Sequence, residues 1–188
     1  HATAGERTAF TAWCAREASW LDEYALFMAL FNAHGMTPWW EWTEPLRQRD
    51  KKALANARTQ HAQEIDFWCF VQWCWDTQCR ALKTYANERG ISLIGDIPIY
   101  VADNSADVWS RPDLYELGPD GLPTVIAGVP PDELGPEGQR WGNPLYRWAR
   151  MAKEDYAWWA ERVKRVLAQA DIVRIDHFRG FAGYWEIP

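Results

Sequence analysis

The chain has 188 residues, the size of one ordinary domain. It is too short to hold a whole barrel of eight βα units, which takes about 250 residues. Its 20 basic and 26 acidic residues give a formal net charge of -6, and no Lys/Arg cluster offers a nucleic-acid surface. Apolar residues at 48% and charged residues at 24% exclude a disordered chain, and no apolar run approaches the roughly 20 residues that span a bilayer.

The chain opens His1-Ala2-Thr3, its first methionine is Met28, and the basic start and apolar core of a secretory signal are absent. It reads as an internal piece of a longer protein; the alternative is an intact small domain. Ser19-Trp20-Leu21-Asp22 resembles a capping box, with Asp in place of Glu or Gln. Leu21, Tyr24, Ala25, Met28 and Phe31 follow at helical spacing, and a stop is expected near His34-Gly35. Pro38 to Trp42 reads as a Trp-rich turn. A long helix is predicted from about Ala62 to Arg89, with Ile65, Trp68, Val71, Trp75, Cys79, Leu82 and Ala86 as its apolar stripe and Gly90 as its stop. That stripe is expected to pack as core rather than to face a cofactor. Cys14, Cys69, Cys74 and Cys79 lack zinc-ligand spacing and read as free thiols of a reducing cytosol.

The pattern then changes. Ile91 to Ile97 is a short apolar run that reads as a buried parallel strand. Turn signals follow at Pro119-Asp120-Gly121 and from Pro130 to Gly138, a loop long enough to be functional. Helical spacing returns from about Arg150 to Ala170 through Tyr156, Trp159, Val163, Val166 and Leu167, and Asp171 to His177 reads as a second buried strand. Strand, excursion, helix and strand make one βαβ unit with a large insertion after its first strand.

Asp96 and Asp176 both fall late on their strands. In a parallel α/β barrel such positions surround the active site, so the two carboxylates are expected to converge. Arg174 shares a strand face with Asp176 and would hold that carboxylate ionised and oriented, as a carboxylate nucleophile requires. The same Arg-x-Asp pattern also suits a plain ion pair at a barrel rim. Gly95-Asp96-Ile97-Pro98 also suits a strand turning into a loop, and His177 a structural donor. Trp141, in a Gly/Pro-rich polar loop, suits either a core position or a stacking platform for the flat C–H face of a sugar. The sequence has no Gly-x-x-x-x-Gly-Lys, Gly-x-Gly-x-x-Gly or Gly-x-Ser-x-Gly, and no metal spacing joins His1, His34, His61 and His177.

Several longer motifs occur in order. Gly95-Asp96-Ile97-Pro98-Ile99-Tyr100-Val101 with Asn104 to Trp109, Gly128-Val129-Pro130-Pro131-Asp132, Gly138 to Tyr146, and Val173-Arg174-Ile175-Asp176-His177-Phe178-Arg179-Gly180 resemble the amylomaltases, or 4-alpha-glucanotransferases. Asp22 to Phe27 and Tyr85 to Ile91 are also similar. The resemblance covers the chain from about residue 20 onward. It implies an α/β fold that is part of a (β/α)₈ TIM barrel with helical insertions, incomplete in this chain. A mainly helical segment (1–90) would lead into a barrel portion (91–188) holding a strand, the substrate-loop insertion, a helix and the nucleophile strand.

The activity so implied is retaining transfer of alpha-1,4-glucan segments between maltooligosaccharides, in glycogen and starch metabolism. Asp176 would be the nucleophile and Arg174 the residue that orients it. Asp96 and His177 would hydrogen-bond the sugar, and Trp141, Asp132 and Gln139 would line the groove. The acid/base and a third carboxylate would lie on later strands, so this piece alone is expected to be inactive. Asp132-Glu133-Leu134-Gly135 departs from the pattern in lacking the aromatic pair many relatives carry there. The resemblance implies no metal or organic cofactor, glucans as the partners, no nucleic acid or membrane, and a cytoplasmic setting. An alpha-glucan hydrolase of related fold and a non-catalytic glucan-binding protein are the alternatives.

Overall fold

The computed structural model describes residues 3–133 and 135–188. The chain forms two compact units, 1–81 and 82–188. The first is helical. Helix α1 runs Ala4–Ala33, far earlier than Ser19. Its start is a complete capping box, in which the Thr3 hydroxyl accepts from the Glu6 amide while the Glu6 carboxylate accepts from the Thr3 amide. Ser19 lies inside the helix because the Ala/Arg/Glu-rich stretch before it contains no breaker. A 3₁₀ turn at Trp39–Glu41 realises the Trp-rich turn. The short helices α2 (Glu44–Arg47) and α3 (Lys51–Gln60) fill a stretch with no clear apolar stripe.

Helix α4 spans Ala62–Asn87, close to the expected bounds, and Gly90 follows with φ +72. Its stripe is not uniformly core. Ala86 is buried, whereas Trp75 (55% exposed) and Leu82 (60%) face outward together with Phe67 and Phe70. The four cysteines are free and partly buried. Burial pushes the Cys69 thiol up to about 12, with lesser contributions from Cys14, Asp22 and Asp66, so it is an inert thiol at neutral pH.

In the second unit, β1 (Ile94–Ile97) pairs in parallel with β4 (Ile172–Ile175), in the register Asp96↔Arg174. Both strands are shorter than their apolar runs. Asp171 ties their entrances together, accepting from the Leu93 amide and the Asn87 side chain (both 2.8 Å) and pairing with Lys83. Nor are the strands buried on both faces. Gly95 and Ile97 face helix α7 (Ala157–Gln169), while Ile94, Asp96, Ile172 and Arg174 share the exposed face. A Cβ on Gly95 would lie 2.6 Å from Val166 Cγ1 and 2.9 Å from Ala170 Cβ, which shows how closely α7 approaches.

The excursion after β1 holds structure that its turn-rich sequence concealed. After α5 (Ala106–Ser110), β2 (Ile126–Val129) and β3 (Gln139–Pro144) form an antiparallel hairpin, and β5 (Trp185–Ile187) pairs with the other edge of β2. The long loop from Pro130 to Gly138 is the tip of that hairpin. Gly128 lies where β2 is squeezed from both sides, since a Cβ there would lie 2.5 Å from the Gln139 carbonyl oxygen and 2.6 Å from Ile187 Cδ1. The helix expected over 150–170 is two, α6 (Trp148–Ala152) and α7, separated by a turn where Asp155 and Tyr156 take φ +50 and +55. Trp109, Leu114, Tyr115, Leu145, Tyr146 and Met151 form the fully buried centre of this unit. Among the described residues no helix is long and apolar enough to cross a membrane.

Candidate active site

Parallel pairing brings the C-terminal ends of β1 and β4 side by side. Asp96 and Arg174 are register partners and point to the same side of the pair, and alternation along β4 returns Asp176 to that side. The Arg174 guanidinium therefore bridges two carboxylates. Nη1 donates to Asp96 Oδ2 at 2.6 Å, and Nη2 donates to Asp176 Oδ1. The planar fork of arginine allows both bonds at once, which a lysine ammonium cannot reproduce in fixed geometry. All three side chains are more than half exposed, so the network adds little to stability and its effect is to position. The Asp176 amide donates to the Ile97 carbonyl at 2.9 Å, which fixes its backbone just as β4 ends.

The chain turns sharply at His177, whose φ of +49 lies in the left-handed region. A 3₁₀ turn at Phe178–Phe181 follows, with the buried Gly180 packed under Ile99. This turn sets the His177 ring edge-on against Trp141, with centroids 5.0 Å apart and planes at 88°. Trp141 is half-buried on β3, and its Nε1 donates to Gln139 Oε1 at 2.9 Å. Arg174, Asp96, Asp176, His177, Trp141 and Gln139 thus form one connected set, although the sequence separates them widely.

Asp132 lies on the hairpin tip. Its carboxylate accepts from the Gly135 amide at 2.8 Å, and Gly135 also borders Gln139. Leu134 of that segment lies outside the described residues. Among the described residues no group of three or more His, Cys, Asp or Glu side chains is placed to hold a metal ion.

Tyr100, to which the sequence assigned no role, adjoins the set. It is buried, its ring lies 6.1 Å from Trp141, and burial pushes its phenol well above the usual range. Its backbone neighbours are pinned by side chains from elsewhere in the unit. Tyr146 Oη (2.7 Å) and Arg162 Nη1 (3.3 Å) donate to the Ile99 carbonyl, and Asn143 Nδ2 donates to the Val101 carbonyl at 2.8 Å. The available signal was the Tyr100-Val101 and Asn143-Tyr146 pairing of two motif stretches, which spacing alone could not join.

The site thus belongs to an α/β unit whose neighbouring parallel strands end in an arginine-bridged carboxylate pair, with Trp141 of the β2–β3 hairpin against the adjoining His177. The glycoside hydrolase 77 profile, described as 4-alpha-glucanotransferase, matches residues 1–188, and the chain belongs to that family. It is 52% identical over 183 residues to the 4-alpha-glucanotransferase of Thermus thermophilus, covering 97% of this chain and 37% of that protein. It is 46% identical over 169 residues to the enzyme of the same name from Aquifex aeolicus, covering 90% and 35%. The amylomaltase of Streptococcus agalactiae, solved in complex with acarbose, superposes with a TM-score of 0.92 at 37% identity over 98% of this chain and 37% of that one. The chain thus spans about a third of the length of the relatives it matches.

Proposed function

We propose that this chain is the central piece of a retaining 4-alpha-glucanotransferase built on an elaborated (β/α)₈ barrel. In this reading the segment 91–188 carries the nucleophile and part of the glucan groove, and 1–90 is a helical lead-in. The observation that carries the reading is the Arg174 bridge between Asp96 and Asp176 at the ends of adjoining parallel strands.

Asp176 attacks the anomeric carbon of the donor glucan as that carbon's bond to the leaving glycosidic oxygen breaks. A covalent glycosyl-enzyme forms with inversion at that carbon. Arg174 holds one oxygen of the carboxylate and so presents the other. A carboxylic acid outside this chain protonates the leaving oxygen. It then takes a proton from an incoming sugar hydroxyl, whose attack inverts the carbon again and releases Asp176. Retention follows from the two inversions, and transfer rather than hydrolysis follows when a sugar hydroxyl outcompetes water. Asp96 and His177 hydrogen-bond the ring at the cleavage point. Trp141 stacks on a sugar face, and Gln139 and Asp132 line the groove toward the acceptor. The partners are alpha-1,4-glucans, which the acarbose complex of the Streptococcus agalactiae relative supports. The free thiols support a reducing, cytoplasmic setting.

The test is Asp176→Asn in the full-length protein. It preserves size and removes the charge, so transfer should fall by several orders of magnitude while maltooligosaccharide binding survives. A fluorinated alpha-glucosyl substrate that forms the intermediate quickly and releases it slowly should label Asp176 in peptide mass mapping. Label on another carboxylate, or near-normal transfer by the Asn variant, would reduce Asp176 to a structural role.

A further inference from the structure

Trp141 sits on β3, a strand exposed at its start, and the angle of its ring is set by what stands beside it. One side is the His177 ring, itself on a left-handed turn. The other is Tyr100, tilted at 55° against Trp141. Tyr100 does not move freely. It is 4% exposed, stacks on Tyr146 (5.9 Å, 26°) and meets Tyr184 edge-on (6.2 Å, 89°). The carbonyls on either side of it are held by Tyr146, Arg162 and Asn143. A line of rings therefore runs from the buried Tyr146 through Tyr100 and Trp141 to His177, beside the bridged carboxylates. Among the described residues the Tyr100 hydroxyl makes no hydrogen bond, so it is the ring that makes the contact.

We propose that Tyr100 is the positioning residue that fixes the Trp141 ring and thereby sets the affinity of the sugar subsite that Trp141 forms. The inference rests on the reading of Trp141 as a sugar platform. It goes beyond that reading by assigning the platform's orientation to a residue that does not itself touch the glucan. Removing the Tyr100 ring leaves Trp141 attached to its strand but able to tilt away from the stacking plane. Sugar stacking weakens in ground state and transition state alike, which raises KM and leaves kcat nearly unchanged.

The experiment uses the full-length enzyme and measures glucose release from maltotriose in Tyr100→Leu, Tyr100→Phe, Trp141→Ala and the double variant Tyr100→Leu/Trp141→Ala. Tyr100→Leu should raise KM about 5–10-fold, the size of one lost aromatic contact, with kcat within about twofold. Tyr100→Phe should restore the parent KM. In the Trp141→Ala background the Leu substitution should add less than twofold, because its effect passes through the missing ring. If Tyr100→Leu fails to fold, Tyr100→Met, close to it in shape, takes its place. In either case ¹⁹F NMR of 5-fluorotryptophan protein should show the Trp141 resonance, identified by its loss in Trp141→Phe, shifted or broadened by loss of the Tyr100 ring and unchanged in Tyr100→Phe.

A Leu effect of equal size with and without Trp141, a Phe variant as impaired as the Leu variant, or a change confined to kcat would each overturn the inference. A Trp141→Ala enzyme with unaltered KM would instead refute the sugar-platform reading beneath it, so the two failures are told apart.

Discussion

The approach of α7 to β1 gives a sharp test of the packing. Gly95→Ala places a methyl 2.6 Å from Val166 Cγ1 and 2.9 Å from Ala170 Cβ. Neither neighbour can swing clear. Valine in a helix has one strongly preferred rotamer, and the alanine Cβ has none to change. The strand or the helix must shift instead, an overpacking cost of roughly 1–3 kcal/mol. Against this stands about 0.4–1 kcal/mol from the stiffer unfolded chain. The net expectation is a loss of about 1–2 kcal/mol. Guanidinium unfolding of the full-length protein, followed by far-UV circular dichroism, should show a lower midpoint at unchanged slope. Val166→Ala removes the nearer contact, so the Gly95→Ala/Val166→Ala pair should be more stable than the sum of the single changes by about 0.5–1 kcal/mol. A Gly95→Ala protein with the parent midpoint, or strictly additive single changes, would refute the claim that β1 and α7 are in this close contact.

Two further outcomes are expected. Arg174→Lys keeps the charge but cannot fork to Asp96 and Asp176 together, so full-length enzyme should lose about 10²–10³ in kcat with KM little changed; near-parent turnover would show that the bridge is dispensable. The Leu93 amide, then the Asn87 side chain and Lys83, hold the Asp171 carboxyl below the usual carboxylate range. Its folded pKa thus lies below the unfolded one, so its stabilisation is present above the ordinary carboxylate pKa of about 3.9 and is lost as pH falls through the folded value. Asp171→Asn should lower the unfolding midpoint at pH 7, and its deficit against the parent should shrink toward pH 3; a deficit independent of pH would contradict the assignment.

What the sequence revealed and what it hid follow from the range of the forces involved. The two parallel strands and the helix before the second were legible, because apolar runs and helical periods are local signals. So was the convergence of Asp96, Arg174 and Asp176, which needs only strand alternation and one parallel pairing. The hairpin was not. Gln139-Arg140-Trp141-Gly142-Asn143-Pro144 has the composition of a loop and is a strand because β2 pairs with it. Helix α1 starts at Ala4 rather than near Ser19 because Thr3 and Glu6 complete a capping box, whereas the Ser19-Trp20-Leu21-Asp22 pattern lies inside an unbroken helical stretch, where its amides already have backbone partners. The outward Trp75 and Leu82 show the limit of reading a stripe as core, since periodicity identifies a face and not what covers it. Tyr100 was invisible as a partner of Trp141, since ring contacts between distant segments leave no periodic trace.

The central place of β2 has a mechanical consequence. Its one edge carries β3, with Gln139 and Trp141; its other edge carries β5, which begins soon after Asp176 and His177. The strand that carries Trp141 and the segment that follows Asp176 and His177 are thus splinted to the same slat, and displacing one drags the other through two ladders of amide bonds. The hairpin tip, with Asp132, lies beyond that splint, since the β2–β3 register ends at Val129↔Gln139. The excursion after β1 therefore behaves as a jig: a gauge that holds the Trp141 strand and the segment after His177 to one setting.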